Sequence, residues 1–299
     1  SGVCIMGILQ NENAIPSAAG AAAFYDHQIE QSCRFDAANT SHLVRTLGTP
    51  TNTDKFSMSV WVKRGAAKSG AINYFSGFSS SSDYGAIGFT TYGSSGSDGF
   101  EFWDYPSSQI NLVTTAQFRD FSGWYQFVIL GDSGQSTSSD RVKIYVNGTL
   151  QTAFDNNTYP SSGFNFGLNT SGNKIYAGSA GSTANASYLH LDGYLADFVF
   201  IDGTTYAISD FGETKNGVWI PKDPSGLTFG NNGFYLKFNN DGVGILPSSI
   251  SSAGTHAATG SNIIGLFGNV GATNAPSNYS QSGQSDLSFT VDLGSAKTV

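Results

Sequence analysis

Apolar and polar residues alternate along short runs of this chain. Phe56–Val62 carries an apolar residue at every second position, and Val142–Val146 does the same. Because the side chains of a β-strand point to alternate faces, this period-two pattern predicts half-buried strands. Asn147-Gly148 directly follows the second run, and this dipeptide is a strong signal for a two-residue hairpin turn.

Further short apolar runs follow one another between turns rich in serine and glycine. They lie at 74–75, 86–89, 100–103, 110–113, 124–130, 164–168, 174–177 and 233–238. No run with the period of a long helix separates them. The pattern therefore predicts an all-β fold, an antiparallel two-sheet jelly-roll sandwich.

The stretch Leu191–Lys222 contains the most apolar run, Tyr194–Ile201. A nearly continuous apolar run predicts a strand covered on both faces, in the middle of the sandwich. We interpret Asp197 within it as a structural carboxylate bonded to a neighbouring turn, because a buried charge needs polar partners. We expect Asp202-Gly203 to end the strand in a tight turn, and Ser209 to cap a short helical turn.

Composition divides the chain into three parts. Residues 1–30 are rich in small residues and predict an extended arm that lies on the domain or on a neighbour, with a disordered leader as the alternative. Residues 31–240 form the predicted sandwich. Residues 241–299 form a C-terminal β-rich extension whose last run, 287–293, needs a partner strand. That run joins the main sheets, pairs with another chain, or continues beyond residue 299.

The charge of the chain and the length of its apolar runs argue against two classes of partner. Only 12% of its residues are charged, against roughly 25% in globular proteins, and its net charge is −8. The sequence has no cluster of lysine and arginine to neutralise phosphates, so we expect no nucleic-acid binding. No apolar run approaches the roughly 18 residues of a membrane-spanning helix, so we expect no membrane insertion.

The two cysteines, Cys4 and Cys33, are too few for a disulfide scaffold or a zinc site. They either pair with each other and tether the arm, or remain two free, half-buried thiols. We favour the free thiols, since cysteine counting alone does not identify a pair.

No residue pattern predicts a metal site. The four histidines are scattered without metal-ligand spacing, and we interpret each as a surface or interface residue. They are His27, His42, His190 and His256. Calcium would suit clustered oxygen ligands, but aspartate and asparagine are also ordinary turn residues. The loops considered for calcium carry Asp83, Asp98, Asp132 with Asp140, and Asp155 with its two following asparagines. We therefore predict no metal and no other cofactor.

Glu101 and Asp104 form the nearest approach to a catalytic pair, beside the rings of Trp103 and Tyr105. Glycoside hydrolysis needs two carboxyl groups about 5 to 10 Å apart across the bond that breaks. A spacing of three along a strand points the two side chains to opposite faces. We therefore interpret the pair as an exposed cluster at a loop edge and predict no enzymatic activity.

Sugar binding would use exposed aromatic rings that stack on apolar sugar faces, next to polar side chains that bond to hydroxyl groups. Several residues of this kind lie near predicted turns. The candidate ligand-binding residues are Tyr84, Tyr92, Trp103, Asp104, Tyr105 and Tyr159, with Tyr188 as a further aromatic candidate. The alternative is that about half of these aromatics only cover sheet edges.

Eight pieces of the sequence, in this order, resemble one known family. They are SCRFD at 32–36, FSMSVWVK at 56–63, WY at 124–125, KIYVNG at 143–148, DGYLADFVFIDG at 192–203, FGE at 211–213, GVW at 217–219 and GFYL at 233–236. Over residues 30 to 240 the chain resembles laminin-G-like, concanavalin A-like domains, in the version common in virion proteins of tailed bacteriophages. The last run, FTVDLGSAKTV, looks like the opening strand of a discoidin-type galactose-binding module.

The resemblance implies a jelly-roll sandwich that is often carbohydrate-binding or adhesive, and in phages a tail-fibre, head-fibre or capsid decoration protein. Our main hypothesis is a non-enzymatic structural protein on the virion surface. Its partners would be other virion proteins, further copies of itself and a glycan of the host surface. A second hypothesis is an extracellular lectin module of a secreted or cell-surface protein, and a third is a glycoside hydrolase.

Overall fold

Two antiparallel sheets of seven strands each are stacked face to face. The computed structural model describes residues 24–65, 73–80, 84–90, 98–105, 109–180, 190–238, 249–252 and 289–292. The strands are β1 Cys33–Phe35, β2 Leu43–Thr46, β3 Lys55–Arg64, β4 Asn73–Ser79, β5 Tyr84–Thr90, β6 Gly99–Tyr105, β7 Asn111–Gln117, β8 Tyr125–Asp132, β9 Val142–Val146, β10 Thr149–Leu150, β11 Phe154–Thr158, β12 Lys174–Ala177, β13 Gly193–Asp202, β14 Gly212–Lys215, β15 Val218–Pro221, β16 Phe234–Leu236, β17 Ser249–Ser252 and β18 Phe289–Asp292.

The first sheet has the strand order β1-β13-β3-β8-β9-β10, and β16 also pairs with β13. The second sheet has the order β11-β7-β6-β5-β4-β12-β2. Two small sheets, β14–β15 and β17–β18, lie outside them. Within the described ranges the only helical pieces are short 3₁₀ turns. The predicted all-β jelly-roll sandwich is confirmed.

A core rich in phenylalanine fills the space between the two sheets. Phe100 and Phe127 stack with ring centroids 4.8 Å apart, and Phe56 meets Phe166 edge to face at 4.9 Å. Burying one such ring stabilises the fold by about 2 to 3 kcal/mol. Alternate residues of each strand point into this core, so the residues between them form the outer faces of the two sheets.

β13 is buried on both faces along almost its whole length, as predicted for Tyr194–Ile201. It pairs with β3 on one edge and with β1 and β16 on the other. On the outer face Val199 and Ile201 pack against Phe211, while their neighbours join the phenylalanine core. Gly203 follows with φ at +82°, a conformation that favours glycine, so the predicted turn is confirmed.

The predicted hairpin turn at Asn147-Gly148 is also confirmed. Both residues have positive φ, +46° and +77°, as a type I′ turn requires, and the turn joins β9 to β10. Gly148 has a second reason to be glycine, because a Cβ atom there would collide with the ring of Trp219.

The predicted cap at Ser209 is wrong. A 3₁₀ turn spans Ile208–Asp210, so Ser209 lies inside the turn. The carboxylate of Asp210 reaches back instead and accepts a hydrogen bond from the backbone N–H of Ala207 at 2.8 Å. The side chain that reaches the free N–H group lies at the end of the turn, which composition alone does not indicate.

The C-terminal run finds its partner within this chain. β18 pairs antiparallel with β17, with Ser249 opposite Asp292, and joins neither main sheet. The arm is described only from residue 24, so most of it and Cys4 lie outside the described residues. Cys33 is a free, half-buried thiol whose pKa is raised to about 12 by burial. None of the described helical pieces has the length and apolar character needed to span a bilayer.

Candidate functional site

Two of the predicted ligand-binding aromatics meet on the outer face of the second sheet. The rings of Tyr84 and Trp103 lie edge to face with centroids 5.6 Å apart. Trp103 also packs against a small cluster that contains Tyr74 and Ala86. Tyr105 is paired with Tyr84 in the β5–β6 ladder. Because β5 and β6 are adjacent, the side chains of Tyr84 and Trp103 form one aromatic patch.

Of the other predicted aromatics, the structure describes only the side chain of Tyr159. Tyr159 is half-buried and packs against Phe154 and the phenylalanine core, and its role in ligand binding stays a prediction. Burial also raises the pKa of its phenol. Tyr92 and Tyr188 lie outside the described residues, as does the side chain of Tyr105.

Glu101 and Asp104 point to opposite faces of the second sheet, as predicted, but neither is exposed. Glu101 accepts a hydrogen bond from the hydroxyl of Tyr74 at 2.7 Å. Burial raises the pKa of Glu101 more than the hydroxyls of Tyr74 and Thr90 lower it. Asp104 accepts the backbone N–H of Ile110. The expected exposed cluster is therefore wrong, because both residues lie within β6 and not at a loop edge.

A groove on the outer face of the first sheet brings together three of the four tryptophans. We call it the tryptophan groove, and its volume is about 350 Å³. It is lined by Tyr25, residues 27–32, Trp61, Trp124, Ala196, Trp219 and Pro221. None of its three tryptophans was among the predicted ligand-binding residues.

The floor of the tryptophan groove comes from two neighbouring strands. Trp61 of β3 stands directly opposite Gln126 of β8. Trp124 lies two residues before Gln126, so the period of the strand places it on the same outer face. Trp124 is 36% exposed. The indole Nε1 of Trp61 is buried and has no hydrogen-bond partner among the described residues.

Trp219 of β15 is held in place by Gln126. Its indole N–H donates a hydrogen bond to Oε1 of Gln126 at 2.6 Å. The amide nitrogen of Gln126 in turn donates to the hydroxyl of Ser59 and the carbonyl of Phe211, each at 3.0 Å. Gln126 is only 3% exposed, and these bonds satisfy its side chain. The ring of Trp219 is thereby fixed at the edge of the groove.

The segment from Tyr25 to Ser32 forms the outer wall, and a buried carboxylate holds it there. Nε2 of His27 lies 2.6 Å from Oδ2 of Asp197. The hydroxyl of Tyr235 donates to Oδ1 of the same carboxylate at 2.9 Å. Burial and then the charge of Asp197 raise the pKa of Tyr235, so its hydroxyl keeps the proton that it donates.

A bulge in β13 presents Asp197 to this wall. The pairing with β3 is interrupted between Ala196 and Val199, and Asp197 has φ at +42°. Such a conformation is uncommon for a residue other than glycine, although aspartate tolerates it better than most. The prediction of a structural carboxylate stands, but its partners are His27 and Tyr235 and not a neighbouring turn.

Three of the aspartates considered for calcium are paired with basic side chains. Asp98 pairs with Arg64 at 2.7 Å, and Asp132 pairs with Lys55 at 3.3 Å. Asp140 pairs with Lys143, and Asp83 lies outside the described residues. In the described part of the chain, no three His, Cys, Asp or Glu side chains come close enough to hold a metal together.

The tryptophan groove has the composition of a sugar-binding site. Indole faces offer flat apolar surfaces for the C–H faces of a sugar ring. Gln28, Glu30 and Gln31 in the wall carry groups that can bond to sugar hydroxyls. The sequence did hold one signal for it. Trp61 occupies a position of Phe56–Val62 that faces away from the core in the period-two pattern, where a polar residue is usual. The pattern therefore indicates that its large ring faces outward.

Comparison with known proteins identifies a family match. Residues 36–205 match the family model described as "Concanavalin A-like lectin/glucanases superfamily". No curated protein sequence matches this chain.

Three solved structures are similar to the sandwich. The native heptameric SAP-like pentraxin from Limulus polyphemus has 12% identity and a TM-score of 0.42, covering 63% of this chain and 81% of its own. Domain 4 of AbnA, an extracellular arabinanase from Geobacillus stearothermophilus in complex with arabinotriose, has 15% identity and a TM-score of 0.40, covering 64% and 79%. The CBM40 of the Ruminococcus gnavus IT-sialidase, bound to α2,3-sialyllactose, has 10% identity and a TM-score of 0.37, covering 60% and 94%.

Proposed function

The chain belongs to the concanavalin A-like lectin/glucanase superfamily, and from this premise we propose that it binds carbohydrate in the tryptophan groove without cleaving it. One observation carries the proposal. Trp61, Trp124 and Trp219, which are far apart in the sequence, line a single gap of about 350 Å³. Three indoles left around a gap give a sugar flat apolar surfaces on several sides.

The ligand that fits the groove best is a neutral glycan. Glu30 is the only carboxylate side chain in the described lining, and that lining contains no lysine or arginine. The whole chain carries a net charge of −8. An anionic sugar would therefore meet like charge without a cation to offset it.

The absence of cleavage is part of the proposal. Glu101 and Asp104 lie on opposite faces of the second sheet and cannot flank one glycosidic bond. Beside the groove, the carboxylate of Asp197 is already bonded to His27 and Tyr235. Incubation of the full chain with the glycan that it binds should release no reducing sugar, and measurable release would contradict this point.

Substitution of the tryptophans tests the site directly. A glycan array with the wild-type chain selects the ligand, and calorimetry then measures its affinity. Trp124→Ala should weaken binding about tenfold, because it removes one stacking surface. Trp124 is the partly exposed member, so this variant is the one that should fold normally.

Trp103→Ala is the matched control, since it removes the fourth tryptophan from the opposite sheet. Under the proposal it leaves the affinity unchanged. A glycan array on which the wild-type chain binds no glycan would contradict the carbohydrate-binding function itself. Binding that survives Trp124→Ala but is lost in Trp103→Ala moves the site to the second sheet.

We further propose that this lectin domain works on the surface of a bacteriophage particle, where it contacts other virion proteins and further copies of itself. The support is the ordered set of eight sequence pieces from residue 32 to residue 236, which resembles phage virion proteins. The second candidate is an extracellular lectin module of a secreted or cell-surface protein, which the same groove would serve. An antibody against this chain should label purified bacteriophage particles in electron micrographs. Particles without label would favour the second candidate.

A further inference from the structure

His42 and His190 meet on the outer face of the second sheet, far from the tryptophan groove in the fold. His42 immediately precedes β2, which pairs with β12. His190 forms an isolated bridge with Ser179, two residues beyond the end of β12. The two ring centroids are 5.4 Å apart, and the ring planes are tilted by 43°. His190 is only 4% exposed, so its interpretation as a surface residue is wrong, whereas His42 is half-buried.

Each imidazole has a ring nitrogen left for another partner. Nδ1 of His42 lies 2.8 Å from the backbone carbonyl of Thr40, which can only accept, so Nδ1 carries the proton and Nε2 has the free lone pair. Protein ligands to metals are commonly oriented by this kind of bond from the second ring nitrogen. Nδ1 of His190 is buried without a hydrogen-bond partner among the described residues. A buried polar atom without a partner costs free energy that a ligand would recover.

We propose that His42 and His190 together form a binding site for a divalent transition-metal cation such as Zn²⁺, Ni²⁺ or Cu²⁺. Imidazole nitrogen binds Zn²⁺ at about 2.0 to 2.1 Å, which places each ring centroid about 3.2 Å from the metal. Two such rings at a tetrahedral angle have centroids about 5.2 Å apart. The separation of His42 and His190, 5.4 Å, matches this value.

Imidazole selects among cations. It suits Zn²⁺, Ni²⁺ and Cu²⁺, whereas Ca²⁺ and Mg²⁺ prefer oxygen ligands. The described part of the chain brings no third His, Cys, Asp or Glu to the pair. The remaining coordination positions would be filled by water or by a small ligand from solution, as in an open site.

The test is a titration of the full, untagged chain with NiCl₂ and with ZnCl₂ after treatment with a chelator. Calorimetry should show one equivalent bound by the wild-type chain and no binding of CaCl₂ or MgCl₂. His42→Ala should lower the affinity for Ni²⁺ at least tenfold, and the double variant His42→Ala/His190→Gln should abolish binding. Since His42 is only half-buried, its single variant should fold even if the double variant does not.

His27→Gln is the matched control, because it removes an imidazole that lies beside Asp197 and not in this pair. It should leave Ni²⁺ binding unchanged. A wild-type chain that binds neither Ni²⁺ nor Zn²⁺ overturns the proposal. An affinity that is equal in the wild type and in His42→Ala overturns it as well, because the metal then lies elsewhere.

Discussion

Glu101 illustrates how burial controls a single carboxyl group. Its side chain is buried on the outer face of the second sheet, and the hydroxyl of Tyr74 donates to it at 2.7 Å. Desolvation raises its pKa above that of the same group in the unfolded chain. The folded chain therefore holds this proton more tightly than the unfolded chain does. Its stabilising contribution is complete below the unfolded pKa and is lost as the pH rises through the folded pKa.

Glu101→Gln should therefore stabilise the protein at neutral pH. The amide oxygen can still accept the hydroxyl of Tyr74, and no buried charge forms. We expect the melting temperature at pH 7 to rise by at least about 2 °C, and the difference to shrink towards pH 4. Calorimetric melting between pH 4 and pH 7 measures this. A melting temperature equal to that of the wild type at pH 7 would contradict the assignment.

Gln126 is the residue on which the position of Trp219 depends. It bonds to the indole of Trp219 and also to Ser59 and Phe211. Gln126→Leu should destabilise the fold by about 2 to 3 kcal/mol, because it leaves buried polar groups without partners. It should also weaken glycan binding. Urea unfolding and calorimetry measure the two effects, and Gln135→Leu, at an exposed glutamine, is the control. Equal stability of the two variants would refute the role of Gln126.

At the scale of elements, the alternation of apolar and polar residues predicts the strands, but it does not predict the bulge in β13. Phe56–Val62 and Tyr194–Ile201 were predicted as strands from their apolar periodicity, and both formed. The same periodicity indicates that Trp61 faces outward, but not which elements it meets there. The wall segment and β15 line the same groove as Trp61, and β8 pairs with its strand. No local sequence pattern encodes these long-range neighbours. The partners of Asp197 depend on a bulge that the sequence does not announce.

The wall segment should detach when its buried bond is removed. His27→Ala leaves the carboxylate of Asp197 with Tyr235 alone, at a cost of about 1 to 3 kcal/mol. Hydrogen exchange of residues 25–32 should accelerate, and glycan affinity should fall because the groove loses one side. Lys215→Ala is the control, since the exposed ion pair of Lys215 with Asp26, at 3.6 Å, is worth at most about 1 kcal/mol. Unchanged exchange in His27→Ala would contradict the role of this bond.

At the scale of the whole molecule, the sequence predicted the fold class correctly but did not indicate the tryptophan groove. The sequence is rich in turn residues and aromatic residues and has few charges. These features predicted a sandwich of two stacked sheets. The predicted residues Tyr84 and Trp103 came together because their strands are adjacent, whereas Tyr159 packs, half-buried, against the phenylalanine core. The meeting of His42 with His190 depends on the order of strands β2 and β12 in the sheet. Strand order is a property of topology that single-sequence patterns do not contain.

Net charge leads to a prediction for the molecule as a whole. A groove that holds neutral sugar by stacking should be insensitive to ionic strength, because salt screens charges and not apolar contacts. Affinity for a neutral glycan should change less than about twofold between 50 and 500 mM NaCl. An affinity that falls steeply with salt would show that charge, and not the tryptophans, holds the ligand.

The most direct measurement is a crystal structure of the full chain with the glycan that the array selects. The account predicts a sugar ring stacked on the indoles of Trp61, Trp124 and Trp219, with the segment 25–32 against its other side. A sugar bound instead to the outer face of the second sheet, against Trp103, would contradict it.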